Sequence, residues 1–160
     1  MESTNNIKYM ELAIDEAKKA YELDEVPIGC VIVKDGEVIT SSHNEKERCN
    51  DATKHAEILC INRASKKLDC WYLENCEMYV TLEPCMMCTG AIINSRIKKV
   101  YFATEDPKGG CLVSNIKINE VTNLNHYPEI EVGMMKDEAS KLLKDFFKMK
   151  RQENKNKKQI

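Results

Sequence analysis

The 160-residue chain is 42% hydrophobic and 31% charged, a composition typical of one soluble globular domain. No apolar run reaches the ~20 residues of a membrane span, and the polar residues 1–7 lack the apolar core of a signal peptide, so we expect neither a membrane protein nor a secreted one. The net charge of −2 is uneven, because residues 136–160 carry nine Lys/Arg against four Asp/Glu.

The first half of the chain alternates helical and strand patterns. Apolar side chains recur every three or four positions over residues 7–23, which predicts a helix that ends before Val26-Pro27. Two short apolar runs flank Asp35-Gly36, a pair typical of a hairpin turn. Asp51 is predicted to cap a second helix that carries residues 55–64.

The second half continues the alternation, which predicts a mixed α/β fold rather than a bundle or a sandwich. Residues 78–82 and 100–103 are predicted strands, and Pro84 takes the position that proline favours at a helix start. A last amphipathic helix begins at about Asp137. We predict a single domain over residues 1–150 and a flexible basic tail over residues 151–160.

Two short motifs indicate the chemistry: His55-Ala56-Glu57, and then Pro84-Cys85-Met86-Met87-Cys88. His55, Cys85 and Cys88 offer three zinc ligands, which leaves a fourth tetrahedral position for water, the arrangement of catalytic rather than structural zinc. Glu57 is close enough in sequence to move protons without binding the metal. The order H-x-E followed by P-C-x-x-C is the signature of zinc-dependent nucleobase deaminases.

The cysteine pair on its own has more than one interpretation. The Cys85-x-x-Cys88 pair alone also fits a redox dithiol or one edge of a structural zinc site. A redox role does not account for the upstream His-Ala-Glu. A structural zinc site needs a fourth ligand, and the sequence has no second C-x-x-C or H-x-x-x-H pair to supply it. His43 and His126 stand alone and are predicted to be surface or loop residues.

Beyond this signature, the chain resembles TadA-type bacterial tRNA-specific adenosine deaminases over nearly its whole length. The resemblance implies a three-layer α/β/α, cytidine deaminase-like fold with a central mixed sheet of about five strands. It also implies one zinc per subunit, a homodimer, and conversion of adenosine to inosine at the wobble position of the tRNA anticodon. The segments that carry it are Glu25-Val26-Pro27-Ile28-Gly29, His43-Asn44, Lys54-His55-Ala56-Glu57, Leu73-Glu74, Tyr79-Val80-Thr81-Leu82-Glu83-Pro84-Cys85, Ser95-Arg96-Ile97, Asp106-Pro107-Lys108-Gly109-Gly110-Cys111 and residues 145–153.

The same resemblance implies how the substrate is bound. Asn44 would contact the flipped adenosine, Ile28 would line its pocket, and Asp106 would touch the neighbouring nucleotide. The basic final helix would meet the anticodon stem or loop. Phe146 is predicted to pack in the core, and the residues predicted to face RNA are Phe147, Lys148, Lys150 and Arg151.

One segment departs from the family pattern, because Leu112-Val113-Ser114-Asn115 follows Gly110-Cys111 where small residues are usual. The RNA contacts that the resemblance implies over residues 106–114 therefore lie in a loop whose sequence differs from the family pattern. The Gly-Gly-Cys sequence also resembles the catalytic subunit of the eukaryotic heterodimeric enzyme, so a hetero-oligomer stays open. Two rival functions stay open as well: a deaminase of a free nucleobase or nucleoside such as guanine or cytosine, and a zinc-stabilised RNA-binding module without catalysis.

The cysteines outside the zinc motif point to a reducing compartment. Several of them lie within apolar patterns on a chain that lacks an export signal, so we predict reduced thiols and a cytoplasmic protein. These residues are Cys30, Cys49, Cys60, Cys70, Cys76 and Cys111.

Overall fold

Helices and strands alternate along residues 2–158, the part of the chain that the computed structural model describes. The helices are α1 (Glu2–Glu22), α2 (Ala56–Leu68), α3 (Met86–Asn94) and α4 (Lys136–Lys158). The strands are β1 (Gly29–Lys34), β2 (Glu37–His43), β3 (Cys76–Leu82), β4 (Lys99–Thr104) and β5 (Glu129–Val132).

The five strands form one mixed sheet in the order β2-β1-β3-β4-β5. β1 is antiparallel to both β2 and β3, whereas β3, β4 and β5 are parallel. α1 and α4 pack on one face of the sheet, and α2 and α3 pack on the other. This three-layer arrangement confirms the predicted α/β/α fold.

Alternating side chains along the central strands supply both halves of the core, as expected for strands covered on both faces. In β3, Met78 and Val80 pack with α2 and α3, while Tyr79 between them packs with α1. Tyr79 stacks on Tyr101 of β4 with the ring centroids 4.3 Å apart. Gly29 is needed where α1 crosses β1, because a Cβ there would lie 1.9 Å from the backbone oxygen of Ala13.

The carboxyl ends of β3 and β4 place several loops at one edge of the sheet. Leu82 pairs with Thr104 at the ends of these two parallel strands. The antiparallel β1 starts at the same edge, where the Gly29 N–H donates to Thr81 Oγ1 at 3.1 Å. β2 ends there too, because His43 pairs with Gly29. We call this side of the sheet the carboxyl edge.

The structure confirms one predicted turn, corrects one predicted helix cap and adds one strand. The predicted hairpin at Asp35-Gly36 is confirmed, with positive φ at both residues. The predicted capping of α2 by Asp51 is wrong, because Asp51 Oδ1 accepts from the N–H and hydroxyl of Thr53 in a local turn, and α2 begins only after His55. The residue pattern did not indicate β5, a four-residue strand at the sheet margin with mostly exposed side chains.

The basic C-terminal segment is helical further than predicted. α4 continues through Lys158, so the loose chain predicted beyond Lys150 is wrong for residues 151–158, and residues 159–160 lie outside the described part. The extension is rich in good helix formers and holds i,i+3 and i,i+4 contacts, Lys150 with Glu153 and Gln152 with Asn156. Within residues 2–158, no helix is both long and apolar enough to cross a membrane.

Candidate active site

Three potential metal ligands meet where α2 and α3 begin. His55 is the N-cap of α2 and Cys85 is the N-cap of α3, and neither side chain caps its own helix. Cys88 follows in the first turn of α3. The His55 Nδ1 lies 3.7 Å from Cys85 Sγ and 3.5 Å from Cys88 Sγ, and the three donor atoms lie within 4.8 Å of one another.

These distances fit a tetrahedral zinc ion. Zn–S bonds of about 2.3 Å and Zn–N bonds of about 2.05 Å at tetrahedral angles separate nitrogen from sulfur by about 3.6 Å. The N-terminal location also suits thiolate ligands, because helix N–H groups favour negative charge. A hydrogen bond from the Cys88 thiol holds the pKa of Cys85 down at about 4. The three residues could therefore hold zinc with little rearrangement.

Glu57 lies beside this cluster in the first turn of α2. Its side chain is 4% exposed, and burial raises the pKa of its carboxyl to about 7. Glu57 does not belong to the group of potential metal ligands, which consists of His55, Cys85 and Cys88. A buried carboxyl with such a pKa can both accept and donate a proton near neutral pH.

Ile28 and Asn44 are brought together by the pairing of β1 with β2. The Asn44 N–H donates to the Ile28 carbonyl at 3.1 Å. The Asn44 amide is oriented from both ends, since its Nδ2 donates to the Val26 carbonyl at 3.4 Å and its Oδ1 accepts from the Lys46 N–H at 3.2 Å. The two residues therefore lie at the carboxyl edge with a fixed geometry.

Asp106 and Phe147 line one cleft on the α4 side of the carboxyl edge. Asp106 Oδ1 accepts from the N–H groups of Lys108 and Gly109, each at 3.2 Å, so Oδ2 is the oxygen left for other partners. Phe147 is 44% exposed, whereas Phe146 is buried as predicted. The cleft measures about 580 Å³ and is lined by Val26, Leu82, Glu105, Asp106, Lys108, Gly109, Leu143 and Phe147.

The basic residues of α4 face in different directions. Lys148 and Arg151 are exposed. Lys150 instead reaches back to α1, where its ammonium contacts Asp24 at 2.5 Å, and it also lies over the Phe146 ring. None of the predicted RNA-facing residues of α4 belongs to the metal cluster, because α4 lies on the opposite face of the sheet from α2 and α3.

Two buried carboxylates at the carboxyl edge were not assigned a role from the sequence. The Glu25 carboxylate oxygens accept hydrogen bonds from the N–H groups of Glu47 and Arg48, at 2.8 and 2.9 Å. Glu83 accepts hydrogen bonds from several donors in residues 106–114. Burial raises the pKa of its carboxyl, but these hydrogen bonds outweigh burial and hold the pKa below its usual value. In the sequence, Glu25 follows Asp24 and precedes Val26-Pro27, whereas Glu83 lies between Leu82 and Pro84. Neither context reveals the backbone partners of the carboxylate.

The departure at residues 112–115 turns out to be partly internal. Leu112 is 1% exposed and packs in the core shared with α2 and α3, and Val113 packs against that core. The larger side chains therefore fill the interior.

The other cysteines agree with the prediction of reduced thiols, because all eight cysteines are free.

Comparison with known proteins agrees with this site. Residues 4–151 match the MafB19-like deaminase family. The tRNA-specific adenosine deaminase of Aquifex aeolicus is 48% identical over 140 residues, which cover 88% of this chain and 92% of that protein. A solved structure from a study of A-to-I editing by tRNA:A34 deaminases at the wobble position of transfer RNA is 43% identical, with a TM-score of 0.83 over 85% of this chain and 99% of that one. The guanine deaminase of Bacillus subtilis is 38% identical, but the match covers only 61% of this chain and 63% of that one, with a TM-score of 0.59.

The ligand set predicts the metal content of variants. We expect the parent protein to bind about one zinc ion per chain. Cys88→Ser should bind far less, because the cluster would keep only two of its three donors. Elemental analysis of the purified proteins measures this. Cys111→Ser is the matched control: its thiol is also buried but lies outside the cluster, so zinc should be retained. Full zinc occupancy in Cys88→Ser would contradict the assignment of the ligands.

Proposed function

The chain belongs to the tRNA-specific adenosine deaminase family, and from this membership and the His55–Cys85–Cys88 cluster we infer that it converts adenosine to inosine at the wobble position of tRNA anticodons. The observation that carries this function is the three-donor cluster beside a buried Glu57, on a chain that matches these deaminases along most of its length. We assign residues 1–150 to one deaminase domain, which the family match over residues 4–151 supports.

The reaction exchanges an amine for a carbonyl oxygen. Water adds at C6 of the adenine, the bond from C6 to the exocyclic nitrogen breaks, and ammonia leaves. His55, Cys85 and Cys88 would hold a zinc ion, which would supply the Lewis acidity that lets the attacking water lose a proton near neutral pH. Glu57 takes a proton from the attacking water and delivers it to the ring nitrogen N1. It then takes the remaining proton from the oxygen now bonded to C6 and passes it to the departing amine, which leaves as ammonia while the C6 carbonyl forms. The carboxyl thereby returns to its starting state.

The target base must leave the stack of the anticodon loop to reach the cluster, which costs little in a loop whose bases are already exposed. We propose that Ile28 packs against the flipped adenine and that the Asn44 amide hydrogen-bonds it. Two observations support these contacts: both residues lie at the carboxyl edge, and hydrogen bonds fix the orientation of the Asn44 amide. Asp106 Oδ2 and the exposed ring of Phe147 would receive a neighbouring nucleotide in their common cleft.

We propose a homodimer that forms through the outer face of α3. This helix is apolar nearly throughout, yet only Cys88, Thr89 and Ile92 are buried, and Met86 is 65% exposed. A helix that is apolar all round is usually covered on all sides, and a second copy offers the same surface. Sedimentation equilibrium should therefore give twice the mass of one chain, whereas a monomer at micromolar concentration would refute this interface.

Because tRNA is the inferred substrate and the thiols are free, we place the protein in the cytoplasm.

A direct assay separates this function from its two rivals. The protein should form inosine in an anticodon stem-loop with adenosine at the wobble position and release no ammonia from free guanine, cytosine or adenosine. Glu57→Gln should keep zinc and stem-loop binding but lose inosine formation by at least about 10²-fold, because the amide cannot carry a proton.

The outcomes of that assay point in different directions. Ammonia release from free bases alone would favour the nucleobase deaminase. Unchanged inosine formation in Glu57→Gln would refute the proton transfer by that residue. Stem-loop binding without inosine formation by the parent protein would favour a non-catalytic RNA-binding module.

The orientations on α4 predict which of its cations meet phosphate. Lys148→Met and Arg151→Met should each lower the slope of log affinity against log salt by about 0.7, the contribution of one single-stranded phosphate contact. Lys150 is different, because its ammonium already pairs with Asp24 and lies over the Phe146 ring, 5.6 Å from the ring centroid. We therefore propose that Lys150 holds α4 against α1.

For this residue Lys150→Met should leave the salt slope unchanged. Asp24→Asn, which removes the partner carboxylate, should behave in the same way. Fluorescence-anisotropy titrations of a labelled stem-loop at several salt concentrations measure all four variants. A slope that falls by about 0.7 in Lys150→Met would return this residue to the phosphate contacts.

A further inference from the structure

Glu83 is a buried carboxylate that the proposed chemistry does not use. It follows β3 directly and precedes Pro84-Cys85, and it is 2% exposed. Among the described residues, no lysine or arginine forms a salt bridge with it. A buried charge of this kind is costly unless hydrogen bonds satisfy it, so its partners indicate what it does.

The partners of Glu83 come from both ends of one segment, residues 106–114. At its start, the Asp106 N–H donates to Oε1 at 3.1 Å. At its end, the N–H groups of Leu112, Val113 and Ser114 donate to Oε2 at 3.0, 2.8 and 3.0 Å, and the Ser114 hydroxyl donates to Oε1. One carboxylate therefore closes the segment into a loop.

The segment is fitted closely around this carboxylate. A Cβ at Gly110 would lie 2.3 Å from Glu83 Cδ and 2.6 Å from the Asp106 carbonyl oxygen, so no larger residue fits. The same segment is attached to the metal-binding side, because the Cys111 N–H donates to the Pro84 carbonyl at 2.9 Å. Glu83 thus connects the helix start that carries Cys85 with the loop that carries Asp106.

We propose that Glu83 is a positioning residue that holds residues 106–114 in the shape that presents Asp106 and the rim of the Phe147 cleft to the anticodon loop. This role rests on the proposed function, since it needs a nucleic-acid substrate longer than one nucleoside. Glu83 acts at a distance from the reacting atoms, through the backbone of the loop. It therefore governs how tightly the stem-loop is bound in the reactive position and leaves the chemical step to the metal cluster and Glu57.

Two substitutions weaken the carboxylate's hold to different degrees. Glu83→Gln replaces one acceptor oxygen by an amide group, so either the Asp106 N–H at Oε1 or the three N–H groups at Oε2 lose their acceptor. Ser114→Ala removes only the hydroxyl donor and leaves the three N–H groups of the loop's end in place. Ser95→Ala is the control, because its hydroxyl also donates a hydrogen bond, to the Ala91 carbonyl at 2.7 Å, and lies outside the segment.

In the zinc-loaded full-length protein, Glu83→Gln should raise KM for the anticodon stem-loop roughly tenfold, and Ser114→Ala should raise it roughly threefold, with kcat within about twofold of the parent. Hydrogen exchange should accelerate at the amides of residues 106 and 112–114 in Glu83→Gln. Ser95→Ala should change neither KM nor the exchange of these amides. A role confined to general stability would lower the melting temperature of all three variants without moving KM.

The results separate this proposal from the proposed function. A KM for Ser114→Ala equal to that of Ser95→Ala, with unchanged amide exchange in Glu83→Gln, would overturn the role of Glu83. If Glu83→Gln loses zinc, Ser114→Ala decides alone: a raised KM with full zinc supports the proposal, and an unchanged KM overturns it. Absence of inosine formation by the parent protein would refute the proposed function only, because amide exchange reports on the loop without any activity.

Discussion

α2 and α3 begin side by side at the carboxyl edge of the sheet, and the candidate active site depends on this shared start. Both helices pack on the same face, and each follows a loop that leaves the sheet at that edge. His55 and Cys85 are the two N-caps, so the packing of two helices on one sheet is enough to bring a nitrogen and a sulfur within 3.7 Å. Cys88, one turn into α3, completes the cluster without any further loop.

The same edge carries two buried acids whose charges are met by backbone N–H groups. Glu25 holds the turn after Asn44, and Glu83 holds the segment that begins with Asp106. An unsatisfied buried carboxylate costs several kcal/mol, and a satisfied one fixes the loop that supplies its donors. In this way two loops that flank the metal cluster obtain a defined shape. Helix and strand packing place the metal ligands, whereas these carboxylates shape the surroundings.

Residues with local signals were predictable from the sequence. The hairpin at Asp35-Gly36 needs only two residues with positive φ, and the metal cluster needs only two helix starts with donor residues. β5 was not indicated by its residues, because Ile130 is the only one of its four that is even partly buried, and its pairing with β4 decides its conformation. Asp51 has the residue type of a helix cap, but the Thr53 hydroxyl and N–H engage it first.

Long-range polar contacts were beyond the reach of sequence patterns. Lys150 belongs to a basic run that resembles an RNA-binding surface, yet its ammonium contacts Asp24, more than 100 residues earlier in the chain. The role of Glu83 depends on donors 23 to 31 residues later, which no periodicity reveals. Such contacts form only after the sheet and its helices are assembled.

The central claim is hydrolytic deamination of one adenosine in an RNA loop, and oxygen labelling tests it most directly. A stem-loop with adenosine at the wobble position and at a second loop position is incubated with the zinc-loaded protein in H₂¹⁸O, then digested and analysed by mass spectrometry. We predict inosine at the wobble position alone, with one ¹⁸O atom at C6 in each molecule formed. Absence of inosine, inosine without the label, or equal inosine at both positions would contradict it.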